Sequence, residues 1–288
     1  MASQLLSNCS GLRSADASCK ARRGRPDPRK PLLPYPLSFS ECSAWARAAG
    51  VPADIALRRY IAYAVLRCIA GCDHLNRRLI VRGGCALWLR YGGRRPFDDI
   101  DFLCPDLPAK SDAAADESLT DSINDALSRE LFDYFPQAPE WEPLLLDRIK
   151  IEVANAPELL PCQPIALGTE GRLAIRVADL ERILAEKLAG LLQHAEQKKK
   201  RGKDIADIAV MMRAHGERVL TSTVKTILSQ IALQRRLPFP VKRSHFEGKI
   251  REVSIATFEM AIPFTSEPQL GFESAWAEVM ELVRRLEE

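Results

Sequence analysis

The stretch from Leu79 to Cys104 constrains the fold most, because two short apolar segments are separated here by paired glycines. Residues 79–82 form an apolar run typical of a strand, and the glycines at 83–84 end it. Residues 86–91 have the pattern of a helix that two further glycines end, and residues 98–104 alternate as a second strand. We therefore expect a strand, a glycine turn, a helix and a strand in close succession.

Two carboxylates lie in the second of these strands. Asp99 and Asp101 are two residues apart, so their side chains are expected on the same face of the strand. Carboxylates this close repel each other, and either one of them takes up a proton or a cation binds between them. Mg²⁺ prefers such oxygen ligands and often binds substrate phosphates as well. A solvated edge face is the alternative interpretation of the pair.

The paired glycines Gly83 and Gly84 suit the other half of such a site. A backbone without side chains can approach a phosphate closely, and the start of the following helix favours negative charge. An ordinary turn is the alternative for a glycine pair alone. Because the glycines and the carboxylates follow in this order within 19 positions (83 to 101), the pattern favours phosphoryl or nucleotidyl transfer with a bound metal.

A second set of charged residues follows in the predicted helices 178–198 and 203–215. Lys187 falls on an apolar stripe, so it must either reach solvent at the edge of the stripe or bind an anion. Asp204 and Asp207 are three residues apart and are expected on one helix face. Asp204 also fits an ordinary role at a helix start.

The predicted strand 145–153 and the basic run 198–203 are further candidates. Glu152 becomes a third carboxylate of the site if its strand lies beside that of Asp99, and Lys150 shares its face. A polar outer face of the sheet explains both residues equally well. The basic run is typical of a solvated loop or of a surface that binds RNA phosphates.

Composition sets the class of protein. With 47% hydrophobic and 27% charged residues in 288, we expect a soluble globular protein without a membrane span. Residues 1–30 lack the apolar segment of a secretory signal. The eight cysteines are scattered without a metal-binding spacing, which favours free thiols in a reducing cytoplasm.

The chain is expected to have three parts. Residues 1–38 are rich in Pro and Arg and predict a flexible basic arm. Residues 39–175 predict an α/β (α+β) domain with a small mixed sheet, and residues 176–288 a helical part that contributes to the site. Within the first domain we expect Ser40 to cap a short helix, Pro52 to start a longer one, and residues 105–123 to be loop.

These residues resemble the nucleotidyltransferase toxins of the AbiEii/AbiGii family of toxin–antitoxin systems, which includes the MenT toxins. Members carry Gly-Gly-Thr-x-Leu and then Arg-x-Ser-x-Asp-Ile/Leu-Asp. Here, Gly-Gly-Cys-Ala-Leu stands at 83–87 and Arg-Pro-Phe-Asp-Asp-Ile-Asp at 95–101. A helix with Lys187 and then Arg-Gly-Lys-Asp-Ile-Ala-Asp at 201–207 resembles the later motifs of the family. The resemblance covers roughly residues 50 to 215.

The resemblance implies a fold of the DNA polymerase β type, a nucleoside triphosphate substrate and Mg²⁺. Some relatives modify the 3′ end of tRNA, and a cognate antitoxin is the usual protein partner. The implied roles are metal binding by Asp99 and Asp101, catalysis by these two residues with Lys187 and Asp204, and nucleotide binding by Gly83, Gly84, Arg95 and Lys187. Glu152, Lys150 and Asp207 are secondary candidates.

Two residues depart from the family pattern. Cys85 stands where members have a small hydroxyl residue, and Phe97 stands where they have Ser or Thr. Asp99, Asp101, Lys187 and Asp204 of the family pattern are retained, which favours an active enzyme. Cys85 and Phe97 allow a weakened or altered triphosphate site, so a nucleotide-binding module without catalysis is one alternative. A nucleic-acid-binding regulator that uses the basic arm and residues 198–203 is the other.

Overall fold

The computed structural model describes residues 35–97, 99–105, 107, 113–134, 150–155, 161–169, 171–197 and 201–288. The predicted arm up to residue 34, Asp98, the strand residues 145–149 and the basic residues 198–200 lie outside the described residues. Contacts divide the chain after Leu32, and Leu33–Glu288 form one unit.

Helices and strands are mixed in the described chain up to Ala178, and helices alone follow in the described residues after it. The strands are β1 (Ile80–Arg82), β2 (Asp99–Cys104), β3 (Lys150–Asn155), β4 (Cys162–Leu167) and β5 (Leu173–Ala178). The helices are α1 (Cys42–Ala49), α2 (Ala53–Gly71), α3 (Asp73–Arg78), α4 (Gly83–Tyr91), α5 (Ala113–Tyr134), α6 (Leu180–Gln197), α7 (Gly202–His215), α8 (Thr221–Arg235), α9 (Lys249–Ala261) and α10 (Phe272–Glu287). None of the described helices is both long and apolar enough to cross a bilayer.

The five strands form one mixed sheet in the order β3-β2-β1-β5-β4. β1 is central, antiparallel to β2 and parallel to β5, while β2 and β3 run parallel and β4 and β5 antiparallel. Helix α2 packs against β5 and is buried on nearly all sides, as its apolar residues around the whole circumference require. Helix α4 packs against β1 and β2, and polar residues of β1, β2 and β3 line a common cleft.

The helical second half packs closely onto itself at Gly202, the first residue of α7. A Cβ atom there would lie 2.1 Å from the backbone nitrogen of Phe258 and 2.2 Å from the carbonyl oxygen of Ser254, both in α9. The Gly202 N–H also donates to the Thr257 hydroxyl at 2.9 Å. This contact fixes the start of α7, the helix that carries Asp204 and Asp207.

The α/β class and the small mixed sheet followed by helices are confirmed, as are β1, β2, α4 and the predicted helices after residue 178. Pro52 directly precedes α2, as expected. The loop predicted for 105–123 is wrong in its second half, because α5 begins at Ala113 and buries Leu119, Ile123 and Ala126 at helical spacing.

Two local expectations at the start of the body also need correction. Ser40 lies in a 3₁₀ turn and does not cap α1, and its hydroxyl instead lies 3.1 Å from that of Ser38. Tyr35, assigned to the arm, is buried: its ring stacks on Tyr63 at 4.2 Å, and its hydroxyl accepts the Gly168 N–H at 3.1 Å. The division between residues 175 and 176 stays a prediction.

Candidate active site

A cleft of about 360 Å³ opens where the ends of β1, β2 and β3 meet α6, α7 and the last residue of α8. This is within the usual size of small-molecule sites. Charged side chains dominate its lining, with acidic residues Asp99, Asp101, Glu152, Glu186 and Asp204 and basic residues Arg82, Arg95, Lys187, Arg201, Lys203 and Arg235. The backbone of Gly83 and Gly84 completes the wall next to the sheet.

Three carboxylates converge on the sheet side of the cleft. Strand β3 pairs with β2 so that Glu152 stands opposite Asp101, and oxygens of Asp99, Asp101 and Glu152 lie within 4.8 Å of one another. Burial raises the pKa of Asp101, and the charges of Asp99 and Glu152 add to this against the opposing charge of Arg82. The cluster therefore has an excess of negative charge that a cation would relieve.

Lys150 lies at the outer edge of this cluster. It stands opposite Asp99 in the pairing of β2 and β3, and its ammonium group contacts the carboxylate of Glu152. The Lys150 side chain is largely exposed, and it does not line the cleft. Its position therefore fits a partner of Glu152 at the surface better than a group inside the site.

Gly83 is required where α4 leaves β1. Its φ of +64° lies in the left-handed region, and a Cβ atom there would lie 2.5 Å from Oδ2 of Asp101. Only glycine allows the chain to turn this closely beside the carboxylate. The backbone at the start of α4 and the carboxylate cluster are therefore neighbours in one site, as the spacing in the sequence predicted.

Lys187 lies on the opposite side of the cleft and is buried between two aspartates. Its ammonium group donates to Oδ1 of Asp204 at 3.0 Å and to Oδ2 of Asp207 at 2.7 Å. Burial alone would lower the pKa of Lys187, but the two carboxylates reverse this and raise it. Of the two alternatives predicted for Lys187, solvent contact or an anion, the structure shows the second, because Lys187 binds the carboxylates of Asp204 and Asp207.

Arg95 belongs to the same network. Its guanidinium group makes two parallel contacts with Asp207, from Nε to Oδ1 at 3.0 Å and from Nη2 to Oδ2 at 2.8 Å. Lys187 and Arg95 together hold the pKa of Asp207 well below its usual range, against the effect of burial. Asp207 is therefore a buried anchor for two cations that line the cleft.

A second buried network was not predicted from the sequence. Glu186 in α6 accepts from Arg82 at 3.1 Å and from Arg182 at 2.9 Å, and Arg82 also lies 3.8 Å from Asp101. Burial would raise the pKa of Glu186, but the two arginines lower it. The sequence signal that could have indicated this network is Arg82, because this charged residue ends a buried strand directly before the paired glycines.

The two departures from the family pattern lie in different surroundings. Cys85 is fully buried in the apolar core and does not line the cleft, and burial raises the pKa of its thiol well above the usual value. Phe97 lines the cleft, where its ring lies 5.2 Å from that of Trp88. The structure therefore separates Cys85 from the space that a nucleotide would occupy.

The structure brings together eight of the ten predicted site residues as lining of this cleft: Gly83, Gly84, Arg95, Asp99, Asp101, Glu152, Lys187 and Asp204. Asp207 lies directly behind the lining, since it contacts Lys187 and Arg95, and Lys150 lies outside. Arg201, which contacts Asp204 at 3.2 Å, Lys203 and Arg235 extend the basic side.

Known proteins with a similar structure are distant in sequence. A protein from H. pylori described as a nucleotidyltransferase has 14% identity and a TM-score of 0.44, and the match covers 82% of this chain and 96% of that one. MenT4, a nucleotidyltransferase toxin from Mycobacterium tuberculosis, has 14% identity and a TM-score of 0.49, with 86% and 89% covered. No curated protein matches the sequence significantly.

Most of the chain matches the model of one protein family. The model of the family "Nucleotidyl transferase AbiEii toxin, Type IV TA system" matches residues 64–280, which is about three quarters of the 288 residues. The matched region contains the strands of the sheet and every residue of the cleft named above. The chain therefore belongs to the AbiEii family of nucleotidyltransferase toxins, with the α/β nucleotidyltransferase fold, and is a nucleotidyltransferase enzyme.

Proposed function

We propose that this enzyme transfers a nucleotide from a nucleoside triphosphate to the 3′ end of tRNA with the help of Mg²⁺. The proposal is carried by one observation. Asp99, Asp101 and Glu152 place their oxygens within 4.8 Å of one another in a cleft that also contains Gly83 and Lys187. A metal-binding cluster beside groups that bind phosphate is the arrangement that nucleotidyl transfer needs.

The donor set fits a hard divalent cation. Carboxylate oxygens are the ligands that Mg²⁺ prefers, and the raised pKa of Asp101 reflects burial and negative charge that such an ion would offset. Asp99 and Asp101 would hold the ion, and Glu152 would complete the set. When bound, Mg²⁺ supplies positive charge to the triphosphate and to the attacking oxygen.

The basic side of the cleft would hold the phosphates. The Lys187 ammonium group has three N–H donors, of which Asp204 and Asp207 accept two, so one remains for a phosphate oxygen. Arg95 is fixed by its paired contacts with Asp207. Asp204 therefore acts by orienting Lys187, and the N–H groups at Gly83 and Gly84 cradle the triphosphate.

The reaction would follow a simple displacement. The 3′ hydroxyl oxygen forms a bond to the α-phosphorus, the bond from that phosphorus to the bridging oxygen of the β-phosphate breaks, and pyrophosphate leaves. The hydroxyl proton passes to solvent water. The enzyme's part is to hold the reacting groups in line in a charged cleft.

The test is transfer of label from each of the four nucleoside triphosphates to total tRNA with Mg²⁺ present. We expect transfer from at least one nucleotide, and a loss of roughly 100-fold or more in Asp99→Asn and in Asp101→Asn, because metal charge stabilisation amounts to several kcal/mol. Asp179→Asn is the matched control, since Asp179 is 21% exposed, close to the 20% of Asp101, and contacts Arg90 outside the cleft.

The acceptor is tested in the same assay. Periodate oxidation destroys the 3′ hydroxyl of tRNA, so oxidised tRNA should receive no label. Label on oxidised tRNA, or on protein in the absence of tRNA, would exclude the 3′ end as the acceptor. The type IV description of the family implies an antitoxin partner in the cell, which we propose limits this modification of tRNA.

A further inference from the structure

One basic stretch of the chain is not accounted for by the nucleotide site. Residues 218–246 contain six Lys or Arg and no Asp or Glu, and they form the longest stretch without an acidic residue in the sequence, at 29 residues. The stretch covers α8 and the segment after it. Single-stranded nucleic acids are bound by such positively charged surfaces when an aromatic side chain is also available for stacking.

The stretch reaches the cleft through Arg235, the last residue of α8. Arg235 lines the cleft and donates to Oε1 of Gln193 at 3.3 Å. Among the described residues, no carboxylate lies within ion-pair distance of it. Burial and the neighbouring cations, Arg82 first among them, lower the pKa of Arg235, although Glu186 opposes this. An anion entering the cleft would therefore find an accessible arginine at its rim.

The segment after Arg235 is well anchored. Val241 and Phe246 are buried, the Leu237 N–H donates to the carbonyl oxygen of Ala232 at 2.9 Å, and the Lys242 N–H donates to the ring of His245 at 3.1 Å. These anchors hold the intervening residues in place at the surface. A partner would therefore meet a formed surface with little ordering left to do.

Between the anchors, the segment exposes two cations and one aromatic ring. Phe239 is 44% exposed and is flanked by two prolines that stiffen the backbone. Arg236 and Lys242 are exposed and have no ion pair among the described residues, whereas Arg243 is held by Glu287. We call Arg235, Arg236, Phe239 and Lys242 the basic ledge.

From this arrangement we infer that the basic ledge binds the single-stranded 3′ end of the RNA acceptor. A base stacks on Phe239, backbone phosphates contact Arg236 and Lys242, and the terminal hydroxyl enters the cleft beside Arg235. The Cα atoms of Arg235 and Phe239 are at most about 14 Å apart, because only four steps along the backbone join them. The inference rests on the proposed function and adds to it the surface that positions the acceptor.

RNA fits the ledge better than a protein partner does. The ledge combines three cations with a single exposed aromatic ring, and every base offers a face to such a ring regardless of sequence. A stable protein interface would need a larger apolar centre around that ring. Pro238 and Pro240, on either side of Phe239, are also exposed, whereas the next residue, Val241, is buried in the core.

The experiment separates binding of RNA from binding of nucleotide. In the label-transfer assay, the KM for tRNA and the KM for the nucleotide are measured for Phe239→Ala and Phe239→Trp. We expect the KM for tRNA to rise roughly 5- to 150-fold in Phe239→Ala, as for the loss of one base–aromatic stack. The KM for the nucleotide should stay unchanged, and Phe239→Trp should restore tRNA use.

The contribution of Arg236 and Lys242 is measured by the salt dependence of the KM for tRNA. Arg236→Gln/Lys242→Gln should reduce the slope of log KM for tRNA against log salt by about 1.4, since each lost phosphate contact removes about 0.7 for a single strand. Arg218→Gln/Lys225→Gln is the matched control, because it removes the same charge from the turn before α8 and from the first half of α8. Phe39→Ala controls for loss of an aromatic ring, since Phe39 is 42% exposed and does not line the cleft.

The possible outcomes distinguish the two proposals. If the wild type labels tRNA and Phe239→Ala leaves its KM unchanged, the ledge is overturned and the proposed function stands. A rise in the nucleotide KM alone would also overturn the ledge.

If the wild type labels no RNA, the proposed function fails. The ledge is then tested by the binding of a fluorescent single-stranded RNA. Weaker binding by Phe239→Ala than by the wild type supports the ledge, and equal binding overturns it. Unchanged RNA use combined with loss of inhibition by the antitoxin would assign the ledge to protein and overturn the inference.

Discussion

The two charged sides of the cleft are built differently. On the sheet side, Asp99, Asp101 and Glu152 gather three negative charges within 4.8 Å, and Arg82 lies 3.8 Å from one of them. On the helical side, Lys187 is 8% exposed and is enclosed by Asp204 and Asp207 at hydrogen-bond distance. The first group is partly open to solvent and carries an excess of one charge, whereas the second is buried and contains both charges.

The difference shows which side depends on a ligand. Buried ion pairs that satisfy one another keep their geometry without any bound molecule, and they become costly only when one partner is removed. Like charges that share a site are unfavourable until a cation arrives. The helical side is therefore expected to support the fold, and the carboxylate cluster to respond to metal.

The largest effect is expected from breaking the buried side. Asp207→Asn removes the carboxylate that accepts two hydrogen bonds from Arg95 and one from Lys187, so we expect the free energy of unfolding to fall by about 3 kcal/mol. Asp99→Asn removes one member of the repelling cluster and should change it by less than about 1 kcal/mol. Urea unfolding without metal measures both, and equal losses in the two variants would contradict the difference between the two sides.

A smaller effect is expected from adding metal to the open side. Mg²⁺ should raise the free energy of unfolding of the wild type by up to about 2.7 kcal/mol at a hundredfold excess over its dissociation constant. The gain should be lost in Asp99→Asn and Asp101→Asn, because each removes a carboxylate ligand. Thermal unfolding at matched ionic strength with KCl measures it.

The controls for the metal effect come from the buried side. Lys187→Met lies outside the carboxylate cluster, so the variant should keep the gain in stability from Mg²⁺ even if it begins from a lower value. The same gain in Asp99→Asn and Asp101→Asn as in the wild type would place the metal elsewhere in the protein.

Local spacing was enough to predict the carboxylate side of the site. The strand period places Asp99 and Asp101 on one face, and the paired glycines mark the turn that must pass close to them. The position of Glu152 depended on which strand lies next to β2, and the pairing of β2 with β3 is a long-range feature that one sequence does not contain. The sequence therefore predicted the pair and left the third carboxylate conditional.

Other features could not be predicted for related reasons. Strand β4 was missed because it exposes one face and contains Pro164, so its apolar alternation is weak. Glu186 and Arg235 were missed because a single charged residue in an amphipathic helix is normally solvated, and only tertiary packing shows that these two reach the cleft. The contact of Lys187 with Asp204 and Asp207 joins two helices whose relative placement the sequence does not fix.

The smallest effect is expected at Cys85, where the family pattern and the structure lead to different expectations. If the residue after the glycines held phosphate through a hydroxyl, the cysteine would weaken nucleotide binding, and Cys85→Ser would strengthen it. In the structure Cys85 is fully buried and does not line the cleft. Cys85→Ala should therefore cost on the order of 1 kcal/mol of stability through lost packing and leave the KM for the nucleotide within about twofold. Steady-state kinetics of Cys85→Ala and Cys85→Ser, compared with urea unfolding, measure this, and a tenfold lower KM in Cys85→Ser would show that position 85 contacts the nucleotide after all.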